Sequence, residues 1–298
     1  MNSKTKSVCV IGGGPAGLFT AKYLSKHFPV TIFEKSNDIL GHYKYAIDQK
    51  RKIFDKIVTG RNVKLLLGKE FKMNDLSDKY FCYVDATGGI PNNALKSTLS
   101  AFDLIRDLFN SKKLINNTKL SNVTIIGMGN VSFDLLLHFK NKFKNVNILS
   151  RSDFDKSKFD ISSLRKVLEY YDVSYTGNDV KSNKKISLID KFKPCFIKKY
   201  FSNKPKLKLT FNAVMEGISE NKNDKTVKYR IKNRFLKETV DNVISSIGFI
   251  PNNKLFTDIK KTDIKVFKVG WSDVATGNIN DSRVNAREVS DKIIKEFK

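Results

Sequence analysis

Two glycine-rich turns, each entered by a short apolar run, constrain this 298-residue chain more than any other feature of it. Residues 8–11 (VCVI) run into Gly12, Gly13, Gly14, Pro15, Ala16 and Gly17, and residues 123–126 (VTII) run into Gly127, Met128, Gly129, Asn130, Val131 and Ser132. An apolar run that stops at a glycine reads as a buried parallel strand entering a tight turn. Parallel strands need crossover helices on the faces of their sheet, so a chain built on two such units is an α/β protein.

In the first unit Gly12, Gly14 and Gly17 fill the three positions of GxGxxG. These give the turn, the close approach of backbone to a pyrophosphate, and the close packing of helix on strand. Pro15 suits the first helical turn, where a missing N–H costs little. A helix over residues 15–27 then aims its unpaired N–H groups at the phosphates. Residues 30–33 make the second strand, which ends in Glu34 and Lys35. A carboxylate here accepts hydrogen bonds from ribose hydroxyls and repels a 2′-phosphate, so the ligand reads as an unphosphorylated ADP moiety, as in FAD or NAD.

The second unit repeats this plan with Ser132 in the third position, still small enough for close helix contact. A helix over residues 130–143 buries Val131, Leu135, Leu136 and Phe139. The return strand, residues 146–149, ends in Ser150 and Arg151 where the first unit has Glu34. A guanidinium in place of the acid favours a 2′-phosphate, which makes this an NADP site. The alternative is a surface arginine, common in so basic a chain.

The chain carries 55 Lys and Arg against 30 Asp and Glu, a formal charge of +25. Lysines are dispersed through most segments rather than clustered among aromatic platforms, which argues against nucleic-acid binding. A dispersed positive field instead steers an acidic protein partner. No apolar run approaches the roughly 20 residues that span a bilayer, so no transmembrane segment is expected. Cys9, Cys82 and Cys195 lie far apart with no CxxC pair, which removes dithiol chemistry and a cysteine-held cluster; no metal site is expected. The residues before the first strand are too few for an ordinary cleavable presequence.

Residues 81–85 read as a strand closing in Ala86, Thr87, Gly88 and Gly89, a turn that carries the chain out of its first domain. Residues 99–109 fit an amphipathic helix. Residues 152–206 carry no assignable motif, and their apolar side chains serve packing. Residues 207–219 and 225–232 look like two antiparallel strands joined at 221–224. Residues 241–251 form a strand closing in a turn from Gly248 to Pro251, where the chain returns to the first domain. The last helix, 285–295, starts with free backbone N–H groups.

These residues together resemble the adrenodoxin-reductase type of ferredoxin–NADP reductase, an FAD protein of two interleaved Rossmann-like dinucleotide-binding domains. The likeness rests on the Gly12 turn with Glu34, on Leu40 and Gly41, and on Gly127, Gly129, Asn130, Val131 and Asp134. It extends through Phe159, Asp160, Ile161, Leu164 and Arg165 to Ser246, Ile247, Gly248 and Phe249, then Gly270, Trp271, Thr276 and Gly277. The domains implied are residues 1–97 and 243–298 for FAD and residues 98–242 for NADP.

The resemblance implies FAD on Gly12, Gly14, Pro15, Ala16, Gly17, Glu34 and Lys35, with Leu40, Gly41, Gly88, Gly270, Trp271, Asp273, Gly277, Asn278 and Ile279 around its flavin end. It implies NADP(H) on Gly127, Gly129, Asn130 and Val131, with Arg151 at the 2′-phosphate and with Asp134 and Trp271 as the catalytic residues. Trp271 has the alternative of a core aromatic, and Asp134 that of serving the helix dipole. The activity implied is hydride transfer from NADPH to FAD and release of single electrons to an acidic 2Fe-2S ferredoxin. A monomer feeding iron–sulfur cluster assembly is expected, in a mitochondrion or a reduced relative of one, or else in the cytoplasm.

The departures are specific. The family's second arginine is Ser152 here, which weakens 2′-phosphate binding. Its Pro-Asp-His stretch is Ile47, Asp48 and Gln49, so that histidine is missing. Asp273 stands where the family often has a basic residue, as in flavoproteins whose Gly-Asp carboxylate holds the ribityl chain. Two other readings are an FAD/NAD(P)H oxidoreductase with a small-molecule acceptor and a nucleotide-binding scaffold with little turnover.

Overall fold

The computed structural model describes residues 7–176, 184–191 and 202–298. They gather into two compact units, Met1–Pro91 with Phe249–Lys298 and Asn92–Gly248. Cys195 lies outside the described residues.

In the first unit β1 (Ser7–Ile11), β2 (Val30–Phe33), β3 (Val63–Leu66), β4 (Tyr80–Asp85) and β16 (Val266–Lys268) form a parallel sheet in the order β16-β4-β1-β2-β3. The glycine turn after β1 therefore opens at the middle of the sheet edge. A strand sends alternate residues to opposite faces. Val8, Val10, Ile32 and Val84 pack with α1 (Pro15–Leu24), α2 (Arg51–Val58) and the C-terminal helix Ile279–Phe297, whereas Cys9, Ile11, Phe33 and Tyr83 pack with Phe71 and Ile259. Leu18 and Leu24 of α1 are fully buried, each worth about 1.5–3 kcal/mol. A two-stranded antiparallel ribbon, β5 (Gly89–Pro91) with β15 (Phe249–Pro251), lies where the chain leaves and re-enters this unit.

In the second unit β6 (Leu99–Ser100), β7 (Asn122–Ile126), β8 (Asn145–Leu149), β9 (Asp172–Thr176), β10 (Lys206–Thr210) and β14 (Asn242–Ser245) form a parallel sheet in the order β6-β14-β7-β8-β10-β9. Its helices are α3 (Ala101–Phe109), α4 (Lys113–Asn116), α5 (Asn130–His138), α6 (Ile161–Tyr170) and α7 (Lys184–Lys191). An antiparallel meander of β11 (Ala213–Glu220), β12 (Lys225–Ile231) and β13 (Arg234–Val240) completes the unit.

Several expectations are corrected here. The strand read over 207–219 is two strands in different sheets, divided after Thr210, where Asn212 takes φ +53, a conformation that asparagine tolerates. The meander's third strand carries a polar residue on its inward face. There Glu238 accepts hydrogen bonds from Thr124 Oγ1 and from Asn147 Nδ2 at 2.9–3.0 Å, and Thr210 Oγ1 donates to Asn147 Oδ1 at 2.7 Å. This network ties β13 to β7, β8 and β10, and its inward acid breaks the apolar alternation by which a strand is recognised. Residues 243–245, expected in the FAD domain, pair with β7 and β6 and lie in the second unit. Leu99 and Ser100 are strand, and α3 begins after them because the Ser100 hydroxyl caps it, accepting from the Asp103 N–H at 3.2 Å. The helix after the second turn stops at His138. Residues 152–206 include α6, β9 and α7.

Candidate functional site

The two glycine turns are built alike. Gly12 has φ +113 and Gly127 φ +104. The Gly12 N–H donates to the Phe33 carbonyl and the Gly127 N–H to the Leu149 carbonyl, both at 2.8 Å. A Cβ on Gly12 would stand 2.3 Å from the Ala86 carbonyl oxygen, and one on Gly127 would stand 2.3 Å from that of Ser246. Each turn is thus pressed against the chain leaving a neighbouring strand, which only glycine allows.

At the second glycine the demand is different. A Cβ on Gly14 or on Gly129 would meet nothing within 4 Å. Each lies at the N-cap of its helix, α1 or α5, so the open space faces unpaired backbone N–H groups, as an approaching pyrophosphate requires. At the third position the units part. A Cβ on Gly17 would lie 2.1 Å from the Gly12 carbonyl oxygen, whereas Ser132 has room for its side chain and hydrogen-bonds the Gly127 carbonyl at 2.8 Å and Ser246 Oγ at 2.9 Å.

In the first unit the Glu34 carboxylate is buried. It accepts the Gly13 N–H at 2.7 Å and the Ser36 N–H at 2.8 Å, one on each oxygen. It thereby holds the glycine turn to the end of β2 and keeps further lone pairs for ribose hydroxyls. Lys35 beside it is exposed.

Two loops close on the first turn of α1, which Pro15 opens and Ala16 buries. Leu40, at φ +79, donates its N–H to the Gly13 carbonyl at 2.8 Å, and Gly41 lies against Gly14. Gly270, at φ +66, is so close to Ala16 that an added Cβ would stand 2.4 Å from the alanine methyl, and its N–H donates to Asn285 Oδ1 at 2.7 Å. Beyond them the half-buried Trp271 ring lies 4.7 Å from that of Phe249, which lies 5.1 Å from His42. Trp271, Asp273, Thr276, Gly277 and Asn285 line a cleft of about 280 Å³, with Asp273 and Gly277 exposed.

The C-terminal helix differs from expectation. It starts at Ile279, and its first turn is capped rather than free. Asn278 Oδ1 accepts the N–H groups of Asn280 and Asp281 at 2.8 and 3.2 Å, and Asp281 Oδ2 accepts the Asn278 N–H at 2.7 Å. A reciprocal cap of this kind satisfies the helix end within the chain and adds a negative charge to it.

Gly88, at φ +79, has open space around its missing side chain. Just before it stands a group that the sequence reading passed over. Asp85 is fully buried at the end of β4; its Oδ1 accepts the Thr87 hydroxyl at 2.7 Å and the Thr87 N–H at 3.0 Å, while Oδ2 is buried without a partner. Burial pushes its carboxyl above the ordinary carboxylate range. The signal was an acid ending an apolar strand, as Glu34 does. His42, Ser272 and Asn285 carried no such signal, because each acts across segments distant in sequence. The buried Ser272 hydroxyl donates to the Asp85 carbonyl at 2.6 Å.

In the second unit the Asn130 carboxamide is committed to Asp160. Nδ2 donates to Asp160 Oδ2 and Oδ1 accepts the Asp160 N–H, both at 2.9 Å. Phe133 and Phe159 stack at 4.4 Å beside it. The loop after β8 is thereby fastened to the start of α5, and Asn130 offers a phosphate its backbone rather than its side chain. Val131 and Asp134 are half-buried on α5, and Arg151 is exposed at the end of β8. The thiols of Cys9 and Cys82 are buried, and burial pushes that of Cys82 up to about 12, so neither is a nucleophile at neutral pH.

The family of pyridine nucleotide-disulphide oxidoreductases matches residues 6–276. The chain is 26% identical over 193 residues to the mitochondrial NADPH:adrenodoxin oxidoreductase of Salvelinus fontinalis, covering 56% of this chain and 38% of that protein. It is 25% identical over 208 residues to the cindoxin reductase of Citrobacter braakii, covering 57% and 46%. The chain thus spans less than half the length of these relatives. Among solved structures, FprA of Mycobacterium tuberculosis in complex with NADPH superposes with a TM-score of 0.78 at 15% identity, over 98% of this chain and 84% of that one. The thioredoxin reductase of T. acidophilum gives 0.59 at 17% identity, over 97% and 98%.

Proposed function

The chain belongs to the pyridine nucleotide-disulphide oxidoreductase family and is of its adrenodoxin-reductase type, and from this we propose that it is an FAD-dependent oxidoreductase that draws on NADPH and reduces an acidic 2Fe-2S ferredoxin. The observation that carries the reading is the pair of matched turns: strained glycines at Gly12 and Gly127, and open glycines at Gly14 and Gly129 before a helix. Both residue sets fit a dinucleotide. In the first, the buried Glu34 carboxylate suits the FAD ribose and leaves no place for a 2′-phosphate. Arg151 in the second suits the 2′-phosphate of NADP(H).

FAD would lie on Gly12, Gly14 and Gly17 at the N-terminus of α1. Leu40, Gly41, Gly270 and Trp271 would enclose its ring and keep water from it, and Asp273 would hold the ribityl chain. NADP(H) would lie on Gly129 and the backbone of Asn130 and Val131; Asp134 in the second unit and Trp271 in the first are the proposed catalytic residues, each within its own unit. A flavin held here supplies the conversion of a two-electron hydride donor into single electrons. The chain's own contribution is geometry and exclusion of solvent. No described helix is long and apolar enough to cross a membrane. The NADPH:adrenodoxin oxidoreductase of Salvelinus fontinalis is a mitochondrial protein, which supports a place in a mitochondrion or a related organelle, and there we propose that the chain serves iron–sulfur cluster assembly.

Purified protein should be yellow, and anaerobic NADPH should bleach its visible flavin band. Added ferredoxin should then support cytochrome c reduction. A colourless or unbleached protein would overturn the reading, and bleaching without ferredoxin reduction would overturn the acceptor.

A further inference from the structure

The register of the antiparallel meander puts side chains in rows across its outer face. One row is Val214, Arg230 and Phe235, and the next is Gly217, Lys228 and Lys237. Phe235 is 73% exposed and Val214 is 38% exposed, one on each side of Arg230 in their row. Lys228 and Lys237 are exposed directly opposite each other, with only the bare backbone of Gly217 completing their row, since a Cβ there would meet nothing within 4 Å. Like charges in direct cross-strand register are destabilising. Among the described residues neither lysine has an acid partner: the Glu216 carboxylate is taken by Arg230 at 2.9 Å and Glu238 faces inward.

The opposite face is fixed. Val227 and Tyr229 are buried with Met215, Ile218 and Leu236 against the second unit's core, and Glu238 is bonded to β7 and β8. The outer face is therefore a preorganised platform on strands, carrying an exposed ring beside two lysine ammonium groups with no acid partner among the described residues, and an arginine that donates to Glu216 Oε1 and to the Lys232 carbonyl. An exposed aromatic beside cations matches an acidic protein surface with an apolar centre. A second copy of a chain of charge +25 would bring like charges together.

We propose that this face of the meander is the docking surface for the acidic electron-acceptor protein, with Phe235 as its apolar anchor and Lys228 and Lys237 as its carboxylate contacts; the identity of the occupant rests on the function proposed above. The decisive variant is Lys237→Glu. It places opposite charges across from Lys228, so it should keep or raise thermal stability while weakening docking. Phe235→Ser tests the anchor. For wild type and both variants, the steady-state rate with a 2Fe-2S ferredoxin is measured against that with a neutral quinone. The expected result is a rise of about tenfold in KM for ferredoxin in Lys237→Glu, with the ferredoxin-to-quinone ratio of kcat/KM falling by a similar factor and Tm not lowered. An unchanged KM in both variants, with wild-type ferredoxin reduction intact, overturns the docking surface alone. Failure of the wild type to reduce ferredoxin while it reduces quinone overturns the acceptor reading and this assignment with it. Tight wild-type binding of a single-stranded oligonucleotide, abolished by Lys237→Glu while ferredoxin kinetics stay unchanged, would make the face a nucleic-acid site instead.

Discussion

Gly14 and Gly17 lie three residues apart on one turn and respond to alanine in opposite ways. A methyl at Gly17 would sit 2.1 Å from a carbonyl oxygen, so the helix must move off its strand, and Gly17→Ala should cost about 1–3 kcal/mol in a denaturant titration. A methyl at Gly14 meets open space. Gly14→Ala should therefore fold with a Tm close to that of the wild type while losing flavin on gel filtration; retained flavin at full occupancy would show that the space serves no ligand. Asp85 gives a prediction of another kind. Burial raises its carboxyl in the folded state, so its contribution to stability is complete below the unfolded carboxylate value, near 3.9, and is lost as pH rises through the folded value. Asp85→Asn lacks that loss. The difference in Tm between Asp85→Asn and wild type should grow in favour of the variant as pH rises above about 4, and a flat difference would mean that the carboxyl titrates normally.

The C-terminal helix shows how an element end is set by side chains rather than by periodicity. Removing the Asn278 cap exposes two first-turn N–H groups and frees Asp281 from its reciprocal bond. Asn278→Ala should cost about 0.5–2 kcal/mol by thermal denaturation; a change within error would mean that solvent caps the helix as well. The start of this helix was legible in principle, as an Asn followed three positions on by an acid, but the fully periodic apolar stripe, Ala286, Val289 and Ile293, is separated from Ile279 by six residues of which only Val284 is apolar. The strand, turn and helix around Gly12 and Gly127 were legible because the small residues that the turn, the open approach and the helix contact call for fall within six consecutive positions after an apolar run. The meander's third strand was not, because the inward Glu238 finds its partners on β7 and β8, about a hundred residues away. The row of His42, Phe249 and Trp271 was equally hidden, since the three rings come from segments far apart in sequence and nothing local announces the other two.

Charge belongs to the whole molecule. A net +25 on 298 residues is opposed by scattered ion pairs such as Arg51–Asp38 and Lys265–Glu296, both partly exposed, and such pairs contribute little to stability. The excess therefore has to be tolerated by the fold, and its physical consequence is a long-range field. An acidic acceptor protein feels that field over a distance set by screening, about 10 Å in about 0.1 M salt and about 3 Å in about 1 M. A neutral quinone feels none of it. On the proposed function, raising NaCl from about 0.05 M to about 0.3 M should lower kcat/KM for ferredoxin severalfold, mostly through slower association, and leave quinone reduction nearly unchanged. Because association carries the effect, saturating ferredoxin should restore the rate at high salt. Equal salt sensitivity with the two acceptors would mean that the lysines act on cofactor binding or on the fold, and that the acceptor is not drawn in by charge.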